Sequence, residues 1–142
     1  MRILIALLVL CGGADGASAA AKAARHFYYD AGPETVDIFS YPKAQQGNYA
    51  VFAHSCSQCH TLARPINSPY ITRGDWSRYV SAMHVKAKAR GGPSFSPDEA
   101  KLIIDFLVYD AKIRKVEHKA AFAVLTKDLK KKFDAPPAAR AP

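Results

Sequence analysis

Gln46-Gly47-Asn48-Tyr49-Ala50-Val51-Phe52-Ala53-His54-Ser55-Cys56-Ser57-Gln58-Cys59-His60 decides how the rest of the chain is read. Its first nine residues read as one amphipathic helix without a β-branched run. That helix runs into C-x-x-C-H, the spacing of covalent c-type haem attachment. Two thiols one helical turn apart can each add to a vinyl group of haem. The adjacent imidazole of His60 then lies under the iron as the proximal ligand. Three other readings compete. A thioredoxin-like redox pair wants a strand before it and a βαβ setting. A structural zinc wants four ligands, so Cys56, Cys59 and one or two histidines would have to serve. A disulfide between residues three apart closes too short a loop to stabilise much.

The N-terminus carries the export signal that haem attachment requires. Met1-Arg2 is a short positive start, and Ile3 to Cys11 is an apolar run too short to span a bilayer. Ala17-Ser18-Ala19 is an A-x-A cleavage site, so residues 1–19 read as a signal peptide and the mature chain starts near Ala20. A lipoprotein reading of Leu8-Val9-Leu10-Cys11 is disfavoured by the bulk of Leu10. Cleavage removes Cys11 and leaves only Cys56 and Cys59. The expected location is the periplasm. No later apolar run reaches transmembrane length.

About 123 residues would remain, enough for a single domain. The net charge of the 142-residue chain is +8. In an exported protein this points to redox partner proteins with an acidic docking face, or to peripheral association with a membrane complex, rather than to nucleic acid. The bland alternative is that the excess charge only maintains solubility.

The chain divides into an aromatic leader (20–45), a core unit (46–110), a basic C-terminal helix (111–134) and a Pro/Ala-rich tail (135–142) expected to be disordered. No internal repeat is present, so one haem is expected per chain. Four helices can be placed. The first spans Ala44 to His54. A loop from Ala63 to Arg73, broken by Pro65 and Pro69, follows. The second helix opens at Gly74-Asp75 with Asp75 as N-cap, and carries Trp76, Tyr79, Val80 and Met83 as an apolar stripe. Gly91-Gly92-Pro93 ends it. The third begins at Ser96-Pro97-Asp98-Glu99, with Ser96 as N-cap, Pro97 at the first position and Glu99 closing a capping box. Its expected buried stripe is Leu102, Ile103, Phe106 and Leu107. The fourth runs from Val116 to Phe133. No strand alternation appears, so the fold class is all-α.

On these residues the chain resembles the class I cytochrome c family. Gly47 and Phe52, nine and four residues before Cys56, match the glycine and aromatic of the family's first helix, and Phe106-Leu107 matches the aromatic-Leu pair of its last core helix. The match covers residues 44 to 110. It implies an all-α domain around one covalent haem c, here with an extra C-terminal helix, in which the aromatic packs at a helix crossing that the glycine brings close. The four-helix cytochrome c′ type places its motif near the C-terminus, unlike this chain.

The resemblance also implies a thioether as sixth ligand. Met83 is the only Met outside the signal, and a Met on an apolar helix face is otherwise core filler. It lies 23 residues after His60, as in short bacterial monohaem domains with a W-x-x-x-V-x-x-M pattern, here Trp76 to Met83. In larger family members the Met lies further on, in a loop. His84 is the rival ligand. It sits about 100° around the helix from Met83, so only one of the two faces the iron. His54 is held too near the proximal side, and His26 and His118 lie outside the core unit. A Met/His pair raises the reduction potential over bis-His. The second ring nitrogen of His60 needs a carbonyl partner, for which Pro65 or Pro69 is available. Trp76, Arg64 and Arg73 are candidates for haem propionates.

Three functions are open at this stage. The first is an electron carrier with both axial positions filled, in which Phe52, Trp76 and Phe106 exclude water and no bond-making chemistry occurs. The second is a haem subunit bound within a larger respiratory or reaction-centre complex, docked through the leader and Lys127 to Lys132. The third is a haem enzyme or gas sensor with an open iron, which requires that Met83 not ligate.

Overall fold

The computed structural model describes residues 27–92 and 94–135. The expected signal peptide and cleavage site, His26, Pro93 and residues 136–142 of the tail lie outside them. Every regular element among the described residues is helical. A 3-10 turn, Tyr28–Ala31, precedes α1 (Lys43–Cys56), α2 (Ala63–Asn67), α3 (Arg73–Ala89) and α4 (Pro97–Ala111). A π-helical turn, Lys112–Glu117, then leads into α5 (Lys119–Asp134). No helix among the described residues is long and apolar enough to cross a membrane.

The cap residues explain most of the boundaries. Ser96 accepts from the Glu99 amide at 3.2 Å while the Glu99 carboxylate accepts from the Ser96 amide at 2.7 Å. This is the reciprocal box expected for α4, with Pro97 at its start. The same device starts α3 one turn earlier than expected. Thr72 is the N-cap, and Asp75 is the third helical residue that reaches back to it. The expectation of Asp75 as N-cap is corrected. A carboxylate followed by Trp reads as a helix start, but the hydroxyl three residues before it satisfies the free amides first. α3 ends at Ala89 with Arg90 as its C-cap, and Gly91 follows with a φ of +64°, in the left-handed region that favours glycine.

Two further expectations change. The expected loop from Ala63 contains the five-residue α2, in which Ala63, Pro65, Ile66 and Asn67 are buried. The last helix starts at Lys119 rather than Val116, because the six preceding residues form the π turn.

The core sits where α1 crosses α4. The Phe52 and Phe106 rings stack at 5.1 Å, both fully buried, and Tyr49 packs on Phe106 at 5.1 Å. Trp76 and Val80 of α3 and Ile66 of α2 complete it. Burial of such aromatics is the dominant stabilising contribution. The expected stripe of α4 holds for Ile103, Phe106 and Leu107 but not for Leu102, which is exposed. Gly47 is not a contact point either: a Cβ built on it meets nothing within 4 Å. The aromatic pair, without a close approach at the glycine, makes the crossing.

A buried polar network joins the leader to the end of α4. Tyr41 donates to Asp110 at 3.0 Å, and Arg114 donates to Asp110 and to the Ile66 carbonyl, each at 2.7 Å. Asp110 is buried but doubly served, so its charge is compensated.

Candidate haem site

Cys56 is the last residue of α1, and Cys59 and His60 occupy the turn that follows. The helix therefore delivers the motif to one edge of the core. Cys56 is half-buried against the core cluster and Cys59 is exposed, both as free thiols. Burial, with the neighbouring Cys59 adding to it, pushes the Cys56 thiol up to about 12. His60 Nδ1 lies 2.8 Å from the carbonyl of Thr61. An N–H on Nδ1 donates there, which leaves the lone pair on Nε2 for a metal. The partner is thus the next residue's carbonyl, and the expectation of Pro65 or Pro69 is corrected. Pro65 itself is buried in α2. The short distance along the chain makes the Thr61 contact cheaper to form than one across the loop.

A cavity of about 280 Å³ lies along α3, walled by Phe27, Tyr29, Tyr70, Tyr79 and Met83. Arg64, Arg78 and Lys86 add positive charge to its walls, and Asp75 a negative one. Met83 therefore lines an aromatic cavity. His84, one residue on, does not line it; its ring packs edge-on against Phe95 at 5.1 Å. Trp76 and Phe52 lie behind the cavity in the core. None of Cys56, Cys59 and His60 is among its lining residues; Cys59 is exposed and His60 half-buried. Tyr79 connects the two regions: it lines the cavity, and burial and then the adjacent Cys56 push its phenol well above the usual tyrosine range.

Two buried donors on α3 have no hydrogen-bond partner: the indole N–H of Trp76 and the hydroxyl of Tyr79. An unmet buried donor costs about 1–3 kcal/mol, so each can take a partner from water or from a bound group. Arg73, considered for the same purpose, instead pairs with Asp105 of α4 at 2.6 Å and is exposed. Arg64 makes a bidentate pair with Asp30 of the leader, at 2.7 and 2.8 Å.

The donor set fits a covalently attached haem. It comprises two unbridged thiols, an imidazole whose Nδ1 meets a backbone carbonyl, one thioether in an aromatic cavity, and the unmet Tyr79 hydroxyl in that cavity's wall. The zinc alternative lacks its ligands: among the described residues, no group of three or more His, Cys, Asp or Glu side chains could hold a metal ion. The disulfide alternative is not formed. Comparison with protein-family models, curated proteins and solved structures returned no match. The case rests on the residues themselves.

Arg64, singled out from the sequence, does line the cavity, whereas three other lining residues carry no sequence signal. Tyr29 and Phe27 belong to the leader and Tyr70 to the loop before α3. Only their convergence in space makes them part of the site. The aromatic richness of the leader was the one available hint.

Proposed function

We propose that this chain is an exported, periplasmic monohaem c-type cytochrome that carries electrons between redox partners. Cys56 and Cys59 would anchor the haem, and His60 and Met83 would be the axial ligands. The observation that carries the reading is the position of Met83, the one thioether of the described chain, in the wall of an aromatic cavity while His84 packs elsewhere. With His60 and Met83 both holding the iron, no position would be left for substrate. The role of the protein is then to anchor, to set the potential through the Met/His pair and to exclude water. The unmet donors of Trp76 and Tyr79 favour a group that brings carboxylates, as haem propionates do.

The direct test of attachment is intact mass after denaturation. The mature chain should carry the mass of one haem that acid and organic solvent do not remove. Cys56→Ala and Cys59→Ala should each weaken attachment, and the double variant should carry none. A chain isolated from a haem-attaching host without that added mass would reject the reading.

A second reading, a subunit bound within a larger redox complex, draws support from Phe39. This ring is 91% exposed in the turn before α1, where a partner's apolar pocket would cover it. Isolation with a stable partner would favour it over a free shuttle.

A further inference from the structure

We propose that the leader turn Tyr28–Ala31, clipped between α2 and α5, is the wall that closes the cavity over Met83, with Arg64 and Asp30 as its positioning pair. The inference rests on the reading of Met83 as an axial ligand. It gives the leader and α5, the two segments beyond the core unit, one shared task.

The geometry supports this at three points. On the inner side, Phe27 and Tyr29 line the cavity opposite α3, and their rings stack on each other at 4.9 Å. On the α2 side, the Asp30 carboxylate receives two bonds from Arg64, whose guanidinium also lies 5.3 Å from the Phe27 ring centre. Asn67 of α2 donates to the Pro33 carbonyl at 2.9 Å, and the Gly32 backbone presses so closely on the Asn67 amide that a Cβ there would overlap it. On the outer side, the 3-10 turn and the π turn are the main packing partners of α5. Leu129 is its buried residue, and the Lys130 ammonium lies 5.2 Å from the Tyr28 ring centre.

The physical consequence concerns exchange at the sixth position. A thioether is a weak ligand and must compete with water and small molecules. A wall held by a bidentate ion pair keeps the cavity small and the side chain of Met83 against its neighbours. Loosening the wall from either side should open the cavity without touching Met83.

The test is carbon monoxide uptake by the full-length, haem-loaded ferrous protein, followed by rapid mixing, together with the far-red sulfur-to-iron band of the ferric form. Asp30→Asn keeps the shape of the carboxylate but removes its charge. Leu129→Ala loosens α5 from a distance. Both should accelerate uptake at least roughly tenfold, about 1.4 kcal/mol, and weaken the far-red band. The exchanged pair, Asp30→Arg with Arg64→Asp, should return uptake toward the wild-type rate. If Leu129→Ala loses helix content, Asp30→Asn decides alone. Uptake unchanged in Asp30→Asn, with the wild-type band intact, would overturn the wall while leaving the ligand reading in place. A wild type that lacks the band and takes up carbon monoxide as fast as the variants would overturn both.

Discussion

Lys115 shows what a single residue's surroundings can reveal that its neighbours in sequence do not. It sits in a run of charged residues and reads as solvated. In the fold it is buried, donating to the Ser68 carbonyl at 2.8 Å and the Tyr70 carbonyl at 3.1 Å. Its ammonium lies over the Trp76 and Phe122 rings, at 4.9 and 5.5 Å. Burial, with Arg114 adding to it and Asp110 opposing, pushes the ammonium down to about 7. Between about 7 and the ordinary value of 10.5, the unfolded chain therefore holds a proton that the folded chain has released. Stability should rise with pH across that window, by on the order of 2–4 kcal/mol. Above about pH 10 the trend should reverse. Burial pushes Tyr29 up to about 12, so there the folded state keeps a proton that the unfolded state loses. Denaturant unfolding of wild type and Lys115→Met at several pH values checks this: the rise should vanish in the variant. At the same scale, the C-x-x-C-H spacing of Cys56, Cys59 and His60 is read directly from the sequence, and α1 delivers all three to one edge of the core. The Thr61 partner of His60 was not legible, because a carbonyl carries no side-chain signature.

The helices were legible where caps and stripes agree. Ser96, Pro97 and Glu99 mark the start of α4, and Phe106 and Ile103 mark its buried face. The misses have physical causes. α2 is only five residues long and includes a proline, so no periodicity can develop. Leu102 falls at the edge of the stripe, and its neighbours fill the interface without it. Gly47 makes no close helix–helix approach, so the packing expected of it from the sequence is absent. It lies inside α1 with open space around it, so Gly47→Ala should stabilise the protein by about 0.5–1 kcal/mol, read from its denaturation midpoint. A close approach at that position predicts a loss instead. Phe106→Ala, which empties the centre of the α1–α4 crossing, should cost about 3–5 kcal/mol. The leader's path was not legible at all. Its contacts with α2 and α5 are long-range pairings that leave no repeat in the sequence.

At the scale of the molecule, the core of α1, α3 and α4 presents the haem motif at one edge and Met83 along α3. The leader and α5 close the side that the core leaves open. The net charge of +8 also belongs to this scale, since it acts through the summed field on approaching partners rather than through any one contact. The central claim is that His60 and Met83 hold the iron between them. It is tested most directly by the far-red optical spectrum of the oxidised, haem-loaded protein, compared with Met83→Ala and His84→Ala. The account predicts a weak sulfur-to-ferric-iron band in the wild type and in His84→Ala, and its loss in Met83→Ala. A wild type without the band, or a band that survives in Met83→Ala, would contradict it.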